Sequence, residues 1–351
     1  MPQIFLTGAT GYIGGEILHT LQQTHPDYNV SVLIRDQEKA NKVTNAFPKV
    51  RVVLADLDDV EIIEEESRNA NVVIRESMYT FNYQIFSNSN CTDAASNKHI
   101  ASVKAIAKGL EGRPDGHYIQ VTGASVLAGP EVDSNSYGEP SDKIYDDLDN
   151  VGDLQSIIRA YKDRRVVDNF ILDLGSSGPK TAIIFPPIIF GAGNGPVNQR
   201  SIQIPSLAKS ALQQHAGLYL NKGLSRWGVI HVSDLASLFV KLAEHAIKAT
   251  PIPIWNENGL FFAENGFESF KDIAGLIAKE AHSLGYIKSP DSVKSINLEE
   301  ANAVIPGGVV FLGTNGQGRA LRARELVGWQ PKGVPFPEAV RETIASEAAR
   351  L

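Results

Sequence analysis

The stretch Thr7-Gly8-Ala9-Thr10-Gly11-Tyr12-Ile13-Gly14 places three glycines at three-residue spacing near the start of the chain. Gly8 permits a tight turn, and Gly11 lets the backbone approach a ligand with no Cβ atom between them. Gly14 allows the element after the turn to pack closely. Backbone N–H groups at the start of a helix bind phosphate well. These residue types at this spacing therefore indicate a site for the phosphates of a ligand.

The elements around this turn are those that a dinucleotide-binding turn requires. Residues 3–6 form an apolar run typical of a short strand, and residues 16–21 repeat apolar side chains at helical spacing. A strand, a glycine turn and the start of a helix together favour dinucleotide binding, here with the spacing G-x-x-G-x-x-G rather than G-x-G-x-x-G. The cofactor-binding residues of the turn are then Gly8, Thr10, Gly11, Tyr12, Ile13 and Gly14.

Two residues of opposite charge, Arg35 and Asp36, follow the next predicted strand, residues 30–34. They lie roughly 20 residues beyond the glycines, where an acidic residue binds the ribose of NAD and an arginine meets the 2′-phosphate of NADP. Arg35 comes first, directly at the end of the strand. We therefore expect NADP as the cofactor, with NAD as the alternative, and Arg35 as a cofactor-binding residue.

Composition and charge narrow the class of protein. The chain has 351 residues, of which 43% are hydrophobic and 21% are charged, as in ordinary globular proteins. Its net charge of −7 argues against a surface that binds nucleic acid or an anionic membrane. Cys91 is the single cysteine, so neither an intramolecular disulfide nor a cluster of cysteine metal ligands can form. Because the first strand begins almost at once and no apolar run is long enough to cross a bilayer, we expect a cytoplasmic protein.

The glycine turn resembles the opening of the extended and atypical short-chain dehydrogenases/reductases, which include the NAD-dependent epimerase/dehydratase group and the NmrA-like proteins. The resemblance implies an α/β fold, a Rossmann-type doubly wound parallel sheet with a small C-terminal substrate lobe. It places the NAD(P)-binding domain at residues 1–185 and the substrate lobe at residues 186–351. The lobe is interleaved with the last Rossmann elements at about residues 228–256, and residues 252–256 are predicted as the last core strand.

Further segments extend the resemblance. Asp56 and Leu57 match an Asp-Leu pair that lies beside the adenine ring, although Asp56 could also cap the helix that follows. Residues 186–193, Pro-Pro-Ile-Ile-Phe-Gly-Ala-Gly, resemble the segment that passes the nicotinamide and enters the substrate lobe, so Pro186 joins the cofactor-binding set. Residues 326–331 resemble the C-terminal Leu-Gly-Trp-x-Pro of the epimerase group, with Val327 as an additional residue.

The first catalytic candidate is Ser125. In the family, the end of the fifth strand supplies a Ser or Thr that hydrogen-bonds the carbonyl or hydroxyl of the substrate. The matching segment is Thr122-Gly123-Ala124-Ser125, in which Ala124 occupies the best-matched position. Ser125 is the neighbouring hydroxyl that could take this role, or it could cap its own turn.

The second catalytic candidate is the pair Tyr161 and Arg165. In the family's Tyr-x-x-x-Lys motif, one helical turn brings a lysine beside a tyrosine and lowers the pKa of its phenol. The nearest match is Tyr161-Lys162-Asp163-Arg164-Arg165, so we expect Tyr161 and Arg165 to lie on one helix. Arginine is bulkier than lysine and cannot reproduce its compact contact. An alignment shifted by one residue pairs Arg164 with the lysine and leaves Ala160 in place of the tyrosine.

Residues 75–93 interrupt the connection between a predicted strand, residues 71–74, and the helix that follows it. Such connections normally have a few residues, whereas this one contains four aromatic side chains and no helical or strand period. One interpretation is a genuine inserted loop. The other is a translated, unspliced intron, because the codons can contain a GTGAGT donor, a CTAAC branch sequence and a terminal AG in one frame. Its removal would join Ile74 to a histidine and then to Ala94-Ala95-Ser96, which looks like the family's strand-end motif.

The resemblance implies an NAD(P)-dependent oxidoreductase that transfers a hydride to or from a small carbonyl or alcohol. A nucleotide-sugar epimerase or dehydratase is one alternative, but its diphosphate would need basic residues, and only Arg200, Lys222 and Arg226 are candidates. A non-catalytic NADP-binding sensor of the NmrA-like kind is the other, and the altered Tyr-x-x-x-Lys pair favours it. The expected partner is a small-molecule substrate, bound by a monomer or homodimer, without nucleic acid, membrane or metal.

Overall fold

A computed structural model describes residues 1–76, 99–175 and 178–351. In the first half, the elements are β1 (Gln3–Thr7), α1 (Tyr12–Thr24), β2 (Asn29–Ile34), α2 (Gln37–Ala46), β3 (Arg51–Leu54), α3 (Val60–Asn69), β4 (Val72–Arg75), α4 (Ile100–Gly109), β5 (His117–Val121), α5 (Gly129–Ser134), β6 (Tyr145–Asp146), α6 (Val151–Ala160), α7 (Val166–Leu174) and β7 (Lys180–Phe185). The second half contains β8 (Ile188–Phe190), α8 (Gln203–Gln214), β9 (Gly217–Leu220), β10 (Arg226–His231), α9 (Val232–Ile247), β11 (Leu260–Phe262), β12 (Phe267–Ser269), α10 (Phe270–Ser283), β13 (Val293–Ile296), α11 (Leu298–Val304), α12 (Gly308–Gly313), β14 (Gly318–Arg319), α13 (Leu321–Glu325) and α14 (Phe336–Ala348).

The central sheet has the order β3-β2-β1-β4-β5-β7-β11, and each neighbouring pair of these strands is parallel. Its inner strands are largely apolar because a parallel sheet is covered on both faces. In β1, for example, Ile4, Phe5 and Leu6 are at most 1% exposed. The predicted Rossmann-type doubly wound sheet is confirmed.

The order of the strands creates the crevice in which ligands bind to folds of this kind. The chain runs from β1 outward through β2 to β3, and then returns to the other side of β1 as β4. The connections after β1 and β4 therefore diverge, and a crevice opens at the carboxyl ends of these two strands. Gly8 and Glu76 follow these strand ends directly.

A second apolar core forms the C-terminal lobe. Helices α8, α10 and α14 pack against one another and against β8, β9 and β10. Its buried side chains include Ile204, Leu207, Ile273, Ile277, Val340 and Ile344. Among the described residues, no helix combines the length and the apolar character needed to span a membrane.

The last strand of the central sheet differs from the sequence prediction. Residues 252–256 were expected to form it, but the strand is β11, Leu260–Phe262, which pairs with β7. Pro251 and Pro253 explain the difference, because proline has no N–H group for the hydrogen bonds of a sheet.

Trp329 anchors the segment before α14 to helix α9 of the central domain. Its side chain is fully buried, and its Nε1 donates to the Asp234 carbonyl oxygen at 2.9 Å and to Ser237 Oγ at 3.0 Å. The Asp234 carboxylate in turn accepts from the backbone N–H groups of Lys332 and Gly333, at 2.7 Å and 2.9 Å. The segment that leads into α14 is thereby held on helix α9.

Replacing Trp329 with phenylalanine should lower the free energy of unfolding by about 2–4 kcal/mol, because it leaves a cavity and removes the indole donor from two acceptors. Trp255→Phe is the matched control: Trp255 is half-buried and contacts the His117 ring with centroids 4.6 Å apart. Urea denaturation followed by circular dichroism measures both. An equal loss in the two variants would contradict the anchoring role of Trp329.

Candidate functional site

The glycine turn has the geometry that phosphate binding requires. Gly8 adopts a φ of +78°, which a residue with a side chain rarely adopts, and its carbonyl accepts from Gly11 N at 2.8 Å. Gly11 is the N-cap of α1, and no side chain caps this helix. The first turn of α1 also contains no acidic residue. The N–H groups at the start of α1 are therefore available to an anion.

Gly14 brings the helix into direct contact with the turn. A Cβ atom on Gly14 would lie 2.2 Å from the Gly8 carbonyl oxygen, so only glycine fits without a shift of the backbone. Neighbouring residues of α1 bind the segment after β8 that leads into the lobe. Tyr12 Oη donates to the Gly191 carbonyl oxygen at 2.6 Å, and the buried Glu16 carboxylate accepts from Asn194 Nδ2 at 3.0 Å. Burial and the nearby Glu16 charge raise the pKa of Tyr12 well above its usual value.

One side of the crevice is lined by the ends of the first three strands, with charged residues at its rim. The lining residues are Thr7, Gly8, Thr10, Leu33, Ile34, Arg35, Asp36, Lys39, Ala55, Asp56, Leu57, Asp58 and Glu76. Arg35 is exposed here, whereas the carboxylate of Asp36 accepts from Lys39 N at 2.8 Å and caps α2. The acid beside Arg35 therefore already has a structural role.

Asp56 and Leu57 line this same part of the crevice, as the resemblance implied. The alternative role of Asp56 as a helix cap is wrong. Asp56 Oδ1 accepts from Asp58 N at 2.7 Å, and the N-cap position of α3 is Asp59. The Asp59 carboxylate accepts from Asp56 N at 2.8 Å, so the acidic residues stabilise the turn itself.

The other side of the crevice is a largely apolar cleft between the central domain and the lobe. The space between its walls, including the part that is open to solvent, is about 850 Å³. Its lining residues are Tyr12, Ile13, Glu76, Thr122, Gly123, Ala124, Ser125, Pro186, Pro187, Ile189, Asn198, Arg200, Ser201, Ile202, Gln203, Trp227 and Phe311. Glu76 lines both sides of the crevice, so the two parts meet at the end of β4.

Ser125 lies in this cleft and is held by a buried arginine. Arg165 Nη2 donates to Ser125 Oγ at 2.9 Å. Arg165 is 9% exposed, and its Nη1 lies 3.8 Å from Asp168 Oδ2. Asp168 also accepts from Thr122 Oγ1 at 3.1 Å. Ser125 and Arg165 are therefore together in the structure, through a pairing that the sequence did not predict.

The predicted pairing of Tyr161 with Arg165 is wrong. Helix α6 ends at Ala160, α7 begins at Val166, and the intervening residues form a turn, so the two side chains are not one helical turn apart. Tyr161 Oη donates to Asp133 Oδ2 at 2.8 Å, and Tyr161 is not among the residues that line the cleft. Burial and the Asp133 carboxylate raise the pKa of Tyr161 to about 12, which is opposite to the shift that proton transfer needs.

Of residues 75–93, only Arg75 and Glu76 belong to the described part of the chain, and both are buried. Arg75 Nε donates to Ser102 Oγ at 3.3 Å, and its Nη1 donates to Gln120 Oε1 at 3.2 Å. Arg75 Nη2 and Glu76 Oε2 have no hydrogen-bond partner among the described residues. The rest of the segment, and with it the choice between an inserted loop and a translated intron, lies outside the described residues.

Most residues on the lobe side of the cleft could not be predicted from the sequence. Asn198 to Gln203, Trp227 and Phe311 come from separate segments and meet only through packing. Arg200, considered only for a diphosphate, donates through Nε and Nη2 to the two Glu347 carboxylate oxygens at 2.7 Å and 3.0 Å. No motif links residues so far apart in the chain.

Comparisons with known proteins agree with this architecture. The model of the NmrA-like family matches residues 2–104. The oxidase ucsJ of Acremonium sp is 31% identical, with 99% of this chain and 98% of that protein covered. An uncharacterized protein of Schizosaccharomyces pombe is 25% identical, with 94% and 95% covered.

Solved structures share the fold at low identity. The PbgP3 protein of Burkholderia pseudomallei has a TM-score of 0.70 at 14% identity, with 99% of this chain and 98% of that chain covered. The UDP-glucose 4-epimerase of Thermotoga maritima, solved with UDP-glucose, has a TM-score of 0.63 at 15% identity, with 99% of each chain covered. The dTDP-glucose 4,6-dehydratase of Bacillus anthracis, solved with NAD, has a TM-score of 0.64 at 13% identity, with 99% and 97% covered.

The parallel sheet, the glycine turn and the uncapped start of α1 define a Rossmann-type protein. Its full-length similarity to the Acremonium oxidase and the match of its first part to the NmrA-like model settle the family. The chain belongs to the extended and atypical short-chain dehydrogenases/reductases, with NmrA-like relatives.

Replacing Gly14 with alanine should lower the free energy of unfolding by about 1–3 kcal/mol, because the new methyl group meets the Gly8 backbone. Gly275→Ala in α10 is the control: nothing lies within 4 Å of the added Cβ atom, so removing this helical glycine should stabilise the protein by about 0.5–1 kcal/mol. Chemical denaturation of both variants provides the measurement. A Gly14→Ala protein as stable as the wild type would show that α1 can move away from the turn.

Proposed function

We propose that the protein is an NAD(P)-dependent oxidoreductase that transfers a hydride to or from a small, largely apolar carbonyl compound or alcohol. The observation that carries the proposal is that the glycine turn lines two adjoining cavities, one beside Arg35 and the other containing Ser125, and that these cavities share Glu76 as a lining residue. A dinucleotide bound along them would extend from Arg35 towards the apolar cleft. The name of the Acremonium relative, an oxidase, supports redox chemistry.

The residues of the turn suit the phosphates of a dinucleotide. A Cβ atom at Gly14 would meet the turn, and the start of α1 has no side-chain cap, so N–H groups and close backbone approach are both provided. Gly8, Thr10, Tyr12 and Ile13, which line the crevice, would bind the phosphates together with the backbone of Gly11 and Gly14. Asp56 and Leu57 would contact the adenine, and Pro186 the nicotinamide side. The nicotinamide would supply the hydride or accept it.

NADP is the proposed cofactor. Arg35 is exposed at the rim, beside Lys39, where a 2′-phosphate would find two cations. The acid that could instead bind a ribose, Asp36, caps α2. The end of β2 therefore supports NADP more than NAD.

The apolar walls of the cleft support a small apolar substrate over a nucleotide sugar. Ile189, Ile202, Trp227 and Phe311 are among the residues that line these walls. Arg200 is the basic residue that faces this cleft among the described residues, and Glu347 already neutralises it. A sugar diphosphate would need uncompensated positive charge there.

The Ser125–Arg165 pair would replace the family's Tyr-x-x-x-Lys. Arg165 donates to Ser125 Oγ, so the hydroxyl proton of Ser125 is free to be donated to the oxygen of a substrate carbonyl. The guanidinium, permanently charged, strengthens this donation as negative charge develops on that oxygen. Because arginine does not release its proton, the proton that completes the alcohol would come from solvent.

A non-catalytic dinucleotide sensor is the second candidate. It is favoured by the position of Tyr161, whose hydroxyl contacts Asp133 outside the cleft. A sensor would bind the dinucleotide without turning over any carbonyl compound, so the kinetic experiment below separates the two functions.

The cofactor can be tested by titrating the protein with NADPH and NADH while following tryptophan fluorescence. We expect tighter binding of NADPH, and Arg35→Gln should weaken NADPH binding about 10-fold and leave NADH binding unchanged, because only NADPH has the 2′-phosphate. Arg341→Gln on α14, where Arg341 pairs with Glu280, is the control and should change neither affinity. Equal affinity for both dinucleotides in the wild type would contradict the choice of NADP.

Turnover can be tested with a panel of apolar aldehydes and ketones by following the oxidation of NADPH at 340 nm. For any compound that is reduced, Ser125→Ala should lower kcat about 100-fold and leave the Kd of NADPH within 2-fold, because the hydroxyl acts only on the substrate oxygen. Tyr161→Phe should keep kcat within about 3-fold. A large loss in Tyr161→Phe and none in Ser125→Ala would overturn the assignment, and NADPH binding without any turnover would favour the sensor.

A further inference from the structure

Glu76 lies where the two parts of the crevice meet, against the glycine turn. A Cβ atom on Gly8 would lie 2.1 Å from Glu76 Oε2, so this carboxylate oxygen is in contact with the Gly8 backbone. The Glu76 carbonyl oxygen accepts from Thr7 Oγ1 at 3.1 Å, which fixes the residue at the end of β1. The carboxyl group therefore lies beside the turn that would bind the dinucleotide phosphates.

The carboxyl group is buried and has little to stabilise its charge. Glu76 is 5% exposed, and its Oε2 has no hydrogen-bond partner among the described residues. The adjacent cation, Arg75, donates instead to Ser102 and Gln120.

We propose that at alkaline pH Glu76 couples dinucleotide binding to the uptake of one proton, because a negative phosphate on the glycine turn would lie beside its carboxylate. This inference rests on the proposed function. The dinucleotide would bind well to the protein with a neutral Glu76, and poorly to the protein with a charged one.

Other charged and titratable groups line the same crevice. On the β2 and β3 side these are Arg35, Asp36, Lys39, Asp56 and Asp58, and on the cleft side Tyr12 and Arg200. Arg200 pairs with Glu347, and Asp58 Oδ1 lies 3.0 Å from His99 Nε2. Arg75 is the neighbouring charge that acts on Glu76, and it favours the carboxylate form.

Burial raises the pKa of Glu76 to about 8, despite the opposing effect of Arg75. The free protein therefore holds a neutral Glu76 below this pH and a charged Glu76 above it. Binding of an anion favours the neutral form, so affinity is constant at lower pH and falls as pH rises through the pKa. The phosphates of NADPH are fully ionised above pH 7.5, so they add no pH dependence of their own.

The test is the Kd of NADPH between pH 7.5 and 9.5 for the full chain and for Glu76→Gln. The wild-type Kd should rise about 20-fold over this range, while that of the isosteric, uncharged variant stays constant. Calorimetry at pH 9 in two buffers of different ionisation enthalpy should show about one proton taken up by the wild type and none by Glu76→Gln. Glu268→Gln is the control, because burial also raises the pKa of Glu268 but it lies on β12 outside the crevice.

A second variant keeps the test decisive if Glu76→Gln folds poorly. Replacing residues 75–93 with a single histidine removes Glu76 altogether, and its NADPH affinity should also be independent of pH above 7.5. If the affinity of either variant falls with pH as steeply as that of the wild type, the role of Glu76 is overturned and the proposed function stands. If neither wild type nor variants bind NADPH at any pH, both are overturned.

Discussion

The site depends on one close contact, between the start of helix α1 and the turn that precedes it. Because Gly14 has no side chain, the helix rests on the Gly8 carbonyl and its free N–H groups lie over the end of β1. The same helix then carries Tyr12 and Glu16 to the crossover at Gly191 and Asn194. One helix thus positions the proposed phosphate site and fixes the segment that leads into the lobe, so a shift of α1 would disturb both parts of the crevice.

Local features of the site could be predicted from the sequence because neighbouring residues decide them. A strand, a glycine turn and a helix are specified within residues 3–24, and the parallel sheet follows from the alternation of such units. The Tyr161 prediction was wrong because side-chain periodicity does not reveal a break between two short helices. Arg165 reaches Ser125 only through the packing of α7 against the end of β5. Charge and spacing alone could not show this contact.

The lobe side of the cleft could not be predicted for a different reason. Arg200, Trp227 and Phe311 reach the cleft from an irregular segment, a strand and a short helix. Their positions depend on the second apolar core, in which α8, α10 and α14 pack together. The shape of this cleft therefore depends on long-range packing, whereas the glycine turn is determined by local sequence.

The end of β4 connects the two halves of the site electrostatically. Arg75 is buried on one face of the strand and acts on Asp168, which also holds Thr122 and lies near the Arg165 that binds Ser125. Glu76, directly after the strand, contacts the glycine turn. Buried charges of this kind are costly unless fully paired, and an atom of each lacks a partner among the described residues. A substitution of Arg75 should therefore act first on the Ser125 network, and a substitution of Glu76 on the glycine turn.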